Sequence, residues 1–418
     1  MHQKAQRALI LTALVGLALG TSFRHPVQAN NEQQDLPGLV GGNNAFGFDL
    51  YHQVAAGDNL IFSPYSISQA FAMALAGAQG DTARQMMDVL RFALPQADLH
   101  PAFGALNGDL VGRKAPQEGE GQPLQLNIAN ALWGQDGFPF RETFLDTLQT
   151  YYGGGLRLTD FMSAPDQARE HINGWIEDQT KDKIQDMIPE DVISTMTRLV
   201  LVNAIYFNGS WLYPFDEANT HDGPFTLLDG STVTVPMMSQ EETFGYTQGE
   251  GFQAVELPYF GGDMAMLIIL PDEGAFQTVA ASLDGPQFDA IRGAIVYSQA
   301  QLTMPRFEFE TDLDLKTNLA AMGLTVPFDP ALADFGGMAD LTQIDANLYI
   351  SDALHKAYIG VDEAGTEAAA ATALIIAATA APMDQPIEIR LDRPFIYAIY
   401  DRQTDAILFL GQVMNPAA

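Results

Sequence analysis

An α+β fold, a single domain of large, mostly antiparallel sheets with helices packed around them, is predicted by three observations. Helical periodicity is concentrated before residue 180, whereas strand-like runs dominate from Leu199 onward. Pro and Gly are spread along the chain, and neither an internal repeat nor a long linker divides it. A hydrophobic fraction of 47% in 418 residues supports one sizeable core and excludes wholesale disorder.

Residues 1–29 read as an export leader. Lys4 and Arg7 open it, residues 8–20 form an apolar run short of a comfortable bilayer span, and Val27-Gln28-Ala29 matches a small-residue cleavage pattern. The domain is therefore expected over residues 30–418, secreted by a bacterial cell to the periplasm or the extracellular space after removal of the leader, and without a membrane anchor. The absence of cysteine excludes disulfides, a thiolate metal site and a cysteine nucleophile. With 52 acids against 20 Lys and Arg, the net charge is -32, and both nucleic acid and anionic membrane are expected to repel the chain.

Ser63-Pro64 opens a helix expected over 63–78, buried because the run is apolar almost all round. Asp81-Thr82 is expected to cap a second helix reaching about residue 92. Residues 140–150 and 165–180 carry amphipathic helical spacing. The near-continuous apolar run 199–207 predicts a central strand buried on both faces. Further strands are expected over 232–235, 252–257, 264–270, 302–309, 355–361, 395–400 and 406–413, with 401–405 as a hairpin loop.

No enzymatic constellation rises above background. The seven histidines show no paired metal-ligand spacing, no serine lies in a G-x-S-x-G or S-x-x-K motif, and no phosphate-binding glycine loop stands between a strand and a helix. In a chain this acidic, most carboxylates read as solvated surface. Neither cofactor nor metal is expected.

The segment that does not fit is 363–382, rich in alanine between two predicted strands. Alanine favours helix. Tested as a strand, however, the segment places Thr366, Ala368, Ala370, Thr372, Leu374 and Ile376 on one face, small at first and without charge. It lacks Pro before residue 382 and has no bulky residue before Leu374, so it suits insertion between existing strands.

From here the chain resembles the serpins over essentially all of its length after the leader. The resemblance rests on five stretches in the family's order. The first is Asn59-Leu-Ile-Phe-Ser-Pro-Tyr-Ser-Ile-Ser68 with Gly77-Ala-Gln-Gly-Asp-Thr-Ala-Arg-Gln-Met86. Then come Asn173-Gly-Trp-Ile-Glu177 with Thr180 and Lys183-Ile184, and Asn203-Ala-Ile-Tyr-Phe-Asn-Gly-Ser-Trp211. His355-Lys-Ala357 with Asp362-Glu-Ala-Gly-Thr-Glu-Ala-Ala-Ala-Ala-Thr372 is the fourth. Arg393-Pro-Phe395 with Ile407-Leu-Phe-Leu-Gly-Gln-Val-Met-Asn-Pro416 is the last.

The resemblance implies a suicide inhibitor of serine proteases and, in some members, cysteine proteases. The protease is held as an acyl-enzyme while the cleaved loop enters the main sheet as a strand, gaining ~1 kcal/mol per ladder hydrogen bond plus apolar burial. The reactive-centre loop would be about 363–386. Its hinge would comprise Glu363, Gly365, Thr366, Glu367, Ala368, Ala369, Ala370, Ala371 and Thr372, which conform to inhibitory members. The family's spacing from Gly365 places the scissile bond at Thr379-Ala380, with Ala378 and Ala380 as competing positions. Such small residues suit elastase-like or subtilisin-like proteases with small primary pockets. Trypsin-like targets are not expected, because no Lys or Arg occurs between Lys356 and Arg390.

The family's sheet-opening cluster is matched by Ser63, Ser66, Asn203 and His355, and its tryptophan at the top of the sheet by Trp211. His355 reads equally as a satisfied core histidine. Residues 98–122 carry only Arg113 and Lys114 among acids, so no heparin-like polyanion is expected to bind. A monomer is expected. The alternative is a non-inhibitory carrier or binding protein of the same fold.

Overall fold

The N-terminal half is mainly helical because its apolar residues repeat at helical spacing. In a computed structural model of the chain, the described residues are 26–112, 125–343, 347–366 and 385–418, with 26–35 and 343 described by backbone alone. The first elements are α1 (Pro26–Val54), β1 (Leu60–Phe62), α2 (Pro64–Leu75), α3 (Gly80–Val89), α4 (Gln96–Gly112), β2 (Gln125–Gln135), α5 (Glu142–Tyr152), β3 (Leu156–Thr159) and α6 (Pro165–Thr180). Strands then dominate: β4 (Leu199–Ser210), β5 (His221–Thr226), β6 (Thr232–Gly249), β7 (Phe252–Pro258) and β8 (Met264–Pro271). After α7 (Phe276–Ser282) and α8 (Gly285–Gly293) come β9 (Val296–Pro305), β10 (Phe307–Asp314) and α9 (Leu315–Ala321). The chain closes with β11 (Asp352–Val361), β12 (Gly365–Thr366), β13 (Ile387–Arg390), β14 (Phe395–Asp401) and β15 (Ile407–Val413). The expected leader lies outside the described residues except for its last four, which begin the backbone of α1.

Helix α2 starts where expected. Ser63 accepts a hydrogen bond from the Ser66 N–H, Pro64 occupies the first turn, and every residue of the helix is buried. It is the core around which two sheets pack. The nine-stranded sheet runs β1-β15-β14-β8-β7-β6-β9-β13, with β5 paired to β6. The six-stranded sheet runs β10-β11-β12-β4-β2-β3. In the first, β1 pairs with β15 from Leu60↔Gln412 to Phe62↔Leu410, so the first and last strands share one ladder. Strand β4 is buried along its whole length. Its Leu201, Ile205 and Phe207 face the main core. Val200, Val202 and Ala204 face a second core, under α6, with Ile172 and Ile176.

Two expectations are corrected. Asp81 and Thr82 do not cap α3. The chain turns in through Gly80 at φ +53°, a conformation open to glycine, and Gln79 precedes the helix. Asp81 instead pairs with Arg84, and the Thr82 hydroxyl accepts from the Asp334 N–H. The expected strand over 302–309 is two strands. Burial falls on Leu302 and Met304, then switches parity to Phe307, because the chain leaves the nine-stranded sheet at Pro305 and enters the six-stranded one.

Candidate functional site

Strand β11 ends at Val361, and residues 362–364 reverse the chain so that Gly365 and Thr366 enter the six-stranded sheet between β11 and β4. Gly365 lies opposite Ser210, and Thr366 lies opposite both Gly209 and Val361. Glycine is required at 365, since a β-carbon there would collide with the Gly209 carbonyl and approach Ser210 Cα to 2.7 Å. Thr366 is 1% exposed, and its hydroxyl lies 2.7 Å from the Tyr259 hydroxyl. Burial pushes that phenol's pKa up. Tyr259 stacks on Trp211 with ring centroids 4.7 Å apart. Trp211 holds the turn by donating Nε1–H to the Asp362 carbonyl at 3.1 Å and its N–H to the Ala364 carbonyl at 2.9 Å.

Glu363 anchors the same turn. Its carboxylate is buried and accepts from Arg306 Nε at 2.7 Å, from Arg306 Nη2 and from the Thr220 hydroxyl. Burial alone would raise its pKa, but these donors outweigh burial and hold the carboxyl below its ordinary range.

Below the two inserted residues, β11 and β4 pair directly and in parallel, from Asp352↔Val200 to Ala357↔Ile205. A buried polar network sits beneath this seam. The Ser63 N–H donates to His355 Nε2 at 3.2 Å, so Nδ1 carries the proton and donates to Asn203 Oδ1. Asn203 donates to the Ser66 hydroxyl at 2.7 Å and to Asn130 Oδ1, and the Ser66 hydroxyl donates to the same Asn130 oxygen at 2.9 Å. Asn130 returns its amide to the Ser66 carbonyl at 3.0 Å and to Gln69 at 2.8 Å.

A family model described as Serpin (serine protease inhibitor) matches residues 41–416. The chain belongs to the serpin family. This serpin is 40% identical to an uncharacterised serpin-like protein of Thermococcus kodakarensis, over 92% of this chain and 87% of that one. It is 35% identical to plasminogen activator inhibitor 1 of Bos taurus, over 89% and 91% of the two chains. It is 36% identical to antithrombin-III of Mus musculus, over 90% and 82%. Among solved structures, uncleaved ovalbumin matches with a TM-score of 0.79 at 28% identity, covering 90% of this chain and 100% of ovalbumin. Human thyroxine-binding globulin complexed with thyroxine matches with 0.78 at 30%, covering 91% and 99%. The family is one of protease inhibitors rather than catalytic enzymes.

Within this serpin, Ser63, Ser66, Asn203 and His355 meet in one cluster. Trp211 does not join them: it lies just past the end of β4, eight positions after Asn203 and about 26 Å away at strand rise. Of the expected hinge residues, Glu363 lies in the turn after β11, and Gly365 and Thr366 form β12. Glu367, Ala368, Ala369, Ala370, Ala371, Thr372, Thr379 and Ala380 lie outside the described residues. Asn130 and Gln69 are network members that no motif indicated. The available signal was Asn130 sharing a strand face with Leu126 and Leu132.

Burial lowers the pKa of His355 to about 3. The folded state therefore keeps the ring neutral while the unfolded chain protonates near 6.5. Stability from this group is complete above pH 6.5 and is lost as pH falls toward 3, by at most about 5 kcal/mol. Melting temperature between pH 6.5 and 5 is expected to fall more steeply for the wild type than for His355→Gln. Parallel profiles would contradict this.

Proposed function

We propose that this serpin inhibits serine proteases by trapping them as acyl-enzymes while its cleaved loop inserts into the six-stranded sheet. One observation carries the reading: Gly365 and Thr366 sit between β4 and β11, antiparallel to both. Because β4 and β11 run parallel, a strand between them replaces one parallel pair by two antiparallel pairs, the more stable ladder. Continuing the register of β12 sets Ala370 opposite Ile205, Thr372 opposite Asn203 and Leu374 opposite Leu201. The same count along β11 sets Thr372 opposite His355. Even-numbered residues then follow Thr366 onto the core face, and they are small or apolar through Ile376. Insertion parts the Asn203–His355 hydrogen bond and offers the Thr372 hydroxyl in its place.

The uncharged, small-residue stretch 377–381 suits elastase-like or subtilisin-like proteases with shallow primary pockets. The leader-like residues 1–29 support action outside the cell. No cofactor or polyanion is needed in this reading, and the protein works as a monomer.

Incubation with elastase or subtilisin is expected to give a covalent complex that survives SDS, and a released C-terminal peptide whose mass begins at Ala380. The nicked protein is expected to melt far above the intact one. A second reading, a carrier or binding protein, is favoured by the likeness to thyroxine-binding globulin with thyroxine bound. Degradation with no covalent band and no rise in melting temperature would support that reading instead.

A further inference from the structure

Between β11 and β12 the chain reverses within residues 362–365, and one side chain closes that turn on itself. Asp362 Oδ1 accepts the N–H of Ala364 at 2.9 Å and the N–H of Gly365 at 3.1 Å. The Asp362 N–H in turn donates to the Gly365 carbonyl at 3.0 Å. The remaining carbonyls of the turn are taken from outside it: Phe215 N–H donates to Glu363 at 2.8 Å, and Trp211 donates to Asp362 and Ala364. Without the carboxylate, two N–H groups at the mouth of the sheet lose their acceptor.

These bonds fix more than a turn. They decide that Gly365 is the residue that passes the Gly209 carbonyl, where no β-carbon fits, and that Thr366 presents its side chain to Tyr259. A one-residue slip in a strand sends every side chain to the opposite face. Here a slip would carry the Glu367 charge onto the core face and turn Leu374 and Ile376 away from it.

Resting on the inhibitory reading above, we propose that Asp362 is the register-setting residue of loop insertion, a positioning residue that acts through the backbone of Ala364 and Gly365. It admits one register of the loop and thereby sets how often insertion outruns hydrolysis of the acyl-enzyme. Within the turn, Arg306 bonds only the Glu363 carboxylate, whereas Asp362 bonds the backbone of the turn itself.

The test compares full-length wild type with Asp362→Ala and Asp362→Asn. Hydrogen–deuterium exchange of the amides of Ala364, Gly365 and Thr366 is read on the intact proteins. Stoichiometry of inhibition is then read with subtilisin. Asp362→Ala is expected to exchange the amides of Ala364 and Gly365 about tenfold faster or more, consistent with loss of a charge-assisted hydrogen bond. Its stoichiometry is expected to rise severalfold while its association rate with subtilisin stays within about twofold. Asp362→Asn, whose amide oxygen still accepts, is expected to stay near wild type in both measurements. Wild-type exchange in Asp362→Ala overturns the proposal, as does an Asp362→Asn variant as impaired as Asp362→Ala. A wild type that forms no covalent complex overturns the inhibitory reading alone, because the exchange measurement involves no protease and still decides whether Asp362 holds the turn that sets the register.

Discussion

Thr366→Arg is expected to turn the protein from an inhibitor into a substrate of the same proteases. Thr366 is 1% exposed, and its hydroxyl meets Tyr259, which stacks on Trp211. An arginine at this point must either bury its guanidinium against two aromatic rings or stay out of the sheet. Burying an unpaired charge costs several kcal/mol. The first steps of insertion gain only ~1 kcal/mol for each ladder hydrogen bond. The charge wins that comparison, insertion stalls at its second residue, and the acyl-enzyme has time to hydrolyse. Inhibition is expected to fall about a hundredfold or more, equivalent to roughly 2.7 kcal/mol on the insertion step. Gels should show cleaved chain accumulating beside active protease, with no covalent band. Inhibition at the wild-type level would contradict insertion through this slot.

Asn203→Ala is expected to weaken the intact protein more than the loop-cleaved one. In the intact protein Asn203 accepts from His355 Nδ1 and donates to Ser66 and Asn130. Truncation leaves the His355 N–H without an acceptor at a site where the ring is 1% exposed. It also opens a void beneath the seam, for a total of about 2–4 kcal/mol. In the cleaved form the register places Thr372 between residues 203 and 355, so the bond to His355 is already parted and only the bonds to Ser66 and Asn130 remain to lose. The difference in melting temperature between cleaved and intact protein should therefore widen. Equal losses in both forms would show that Asn203 does not tie the seam.

Much of this architecture is legible in the sequence where burial is two-sided or where a cap is explicit. Residues 199–207 predict a central strand because no polar alternation interrupts them, and β4 is buried from Leu199 to Ser210. Ser63-Pro64 marks the start of α2 for a reason visible in two residues. The failures share a cause, which is that tertiary partners decided the outcome. The strand break at Arg306 follows from a change of sheet, and only the parity slip between Met304 and Phe307 betrays it locally. Helix α4 carries Pro101 inside it, and residue spacing alone does not mark it. The parallel pairing of β4 with β11 joins residues some 150 positions apart, and no local signal specifies a partner so distant. At the site, Gly365 and Thr366 lie in a strand, as expected of the segment, and the rest of its expected face lies outside the described residues. Asn130 was not readable, because one asparagine on a strand announces nothing until Asn203 stands opposite it.

The ladder between β1 and β15 has a consequence for biosynthesis. Leu60 needs Gln412, the Tyr51 hydroxyl donates to Gln412 at 2.7 Å, and the Asn59 amide donates to the Asn415 carbonyl at 2.7 Å. A ribosome must therefore deliver nearly the whole polypeptide before its earliest strand finds a neighbour. Until then β1 has no strand to pair with, and removal of the last dozen residues, which takes away β15, should leave it without one.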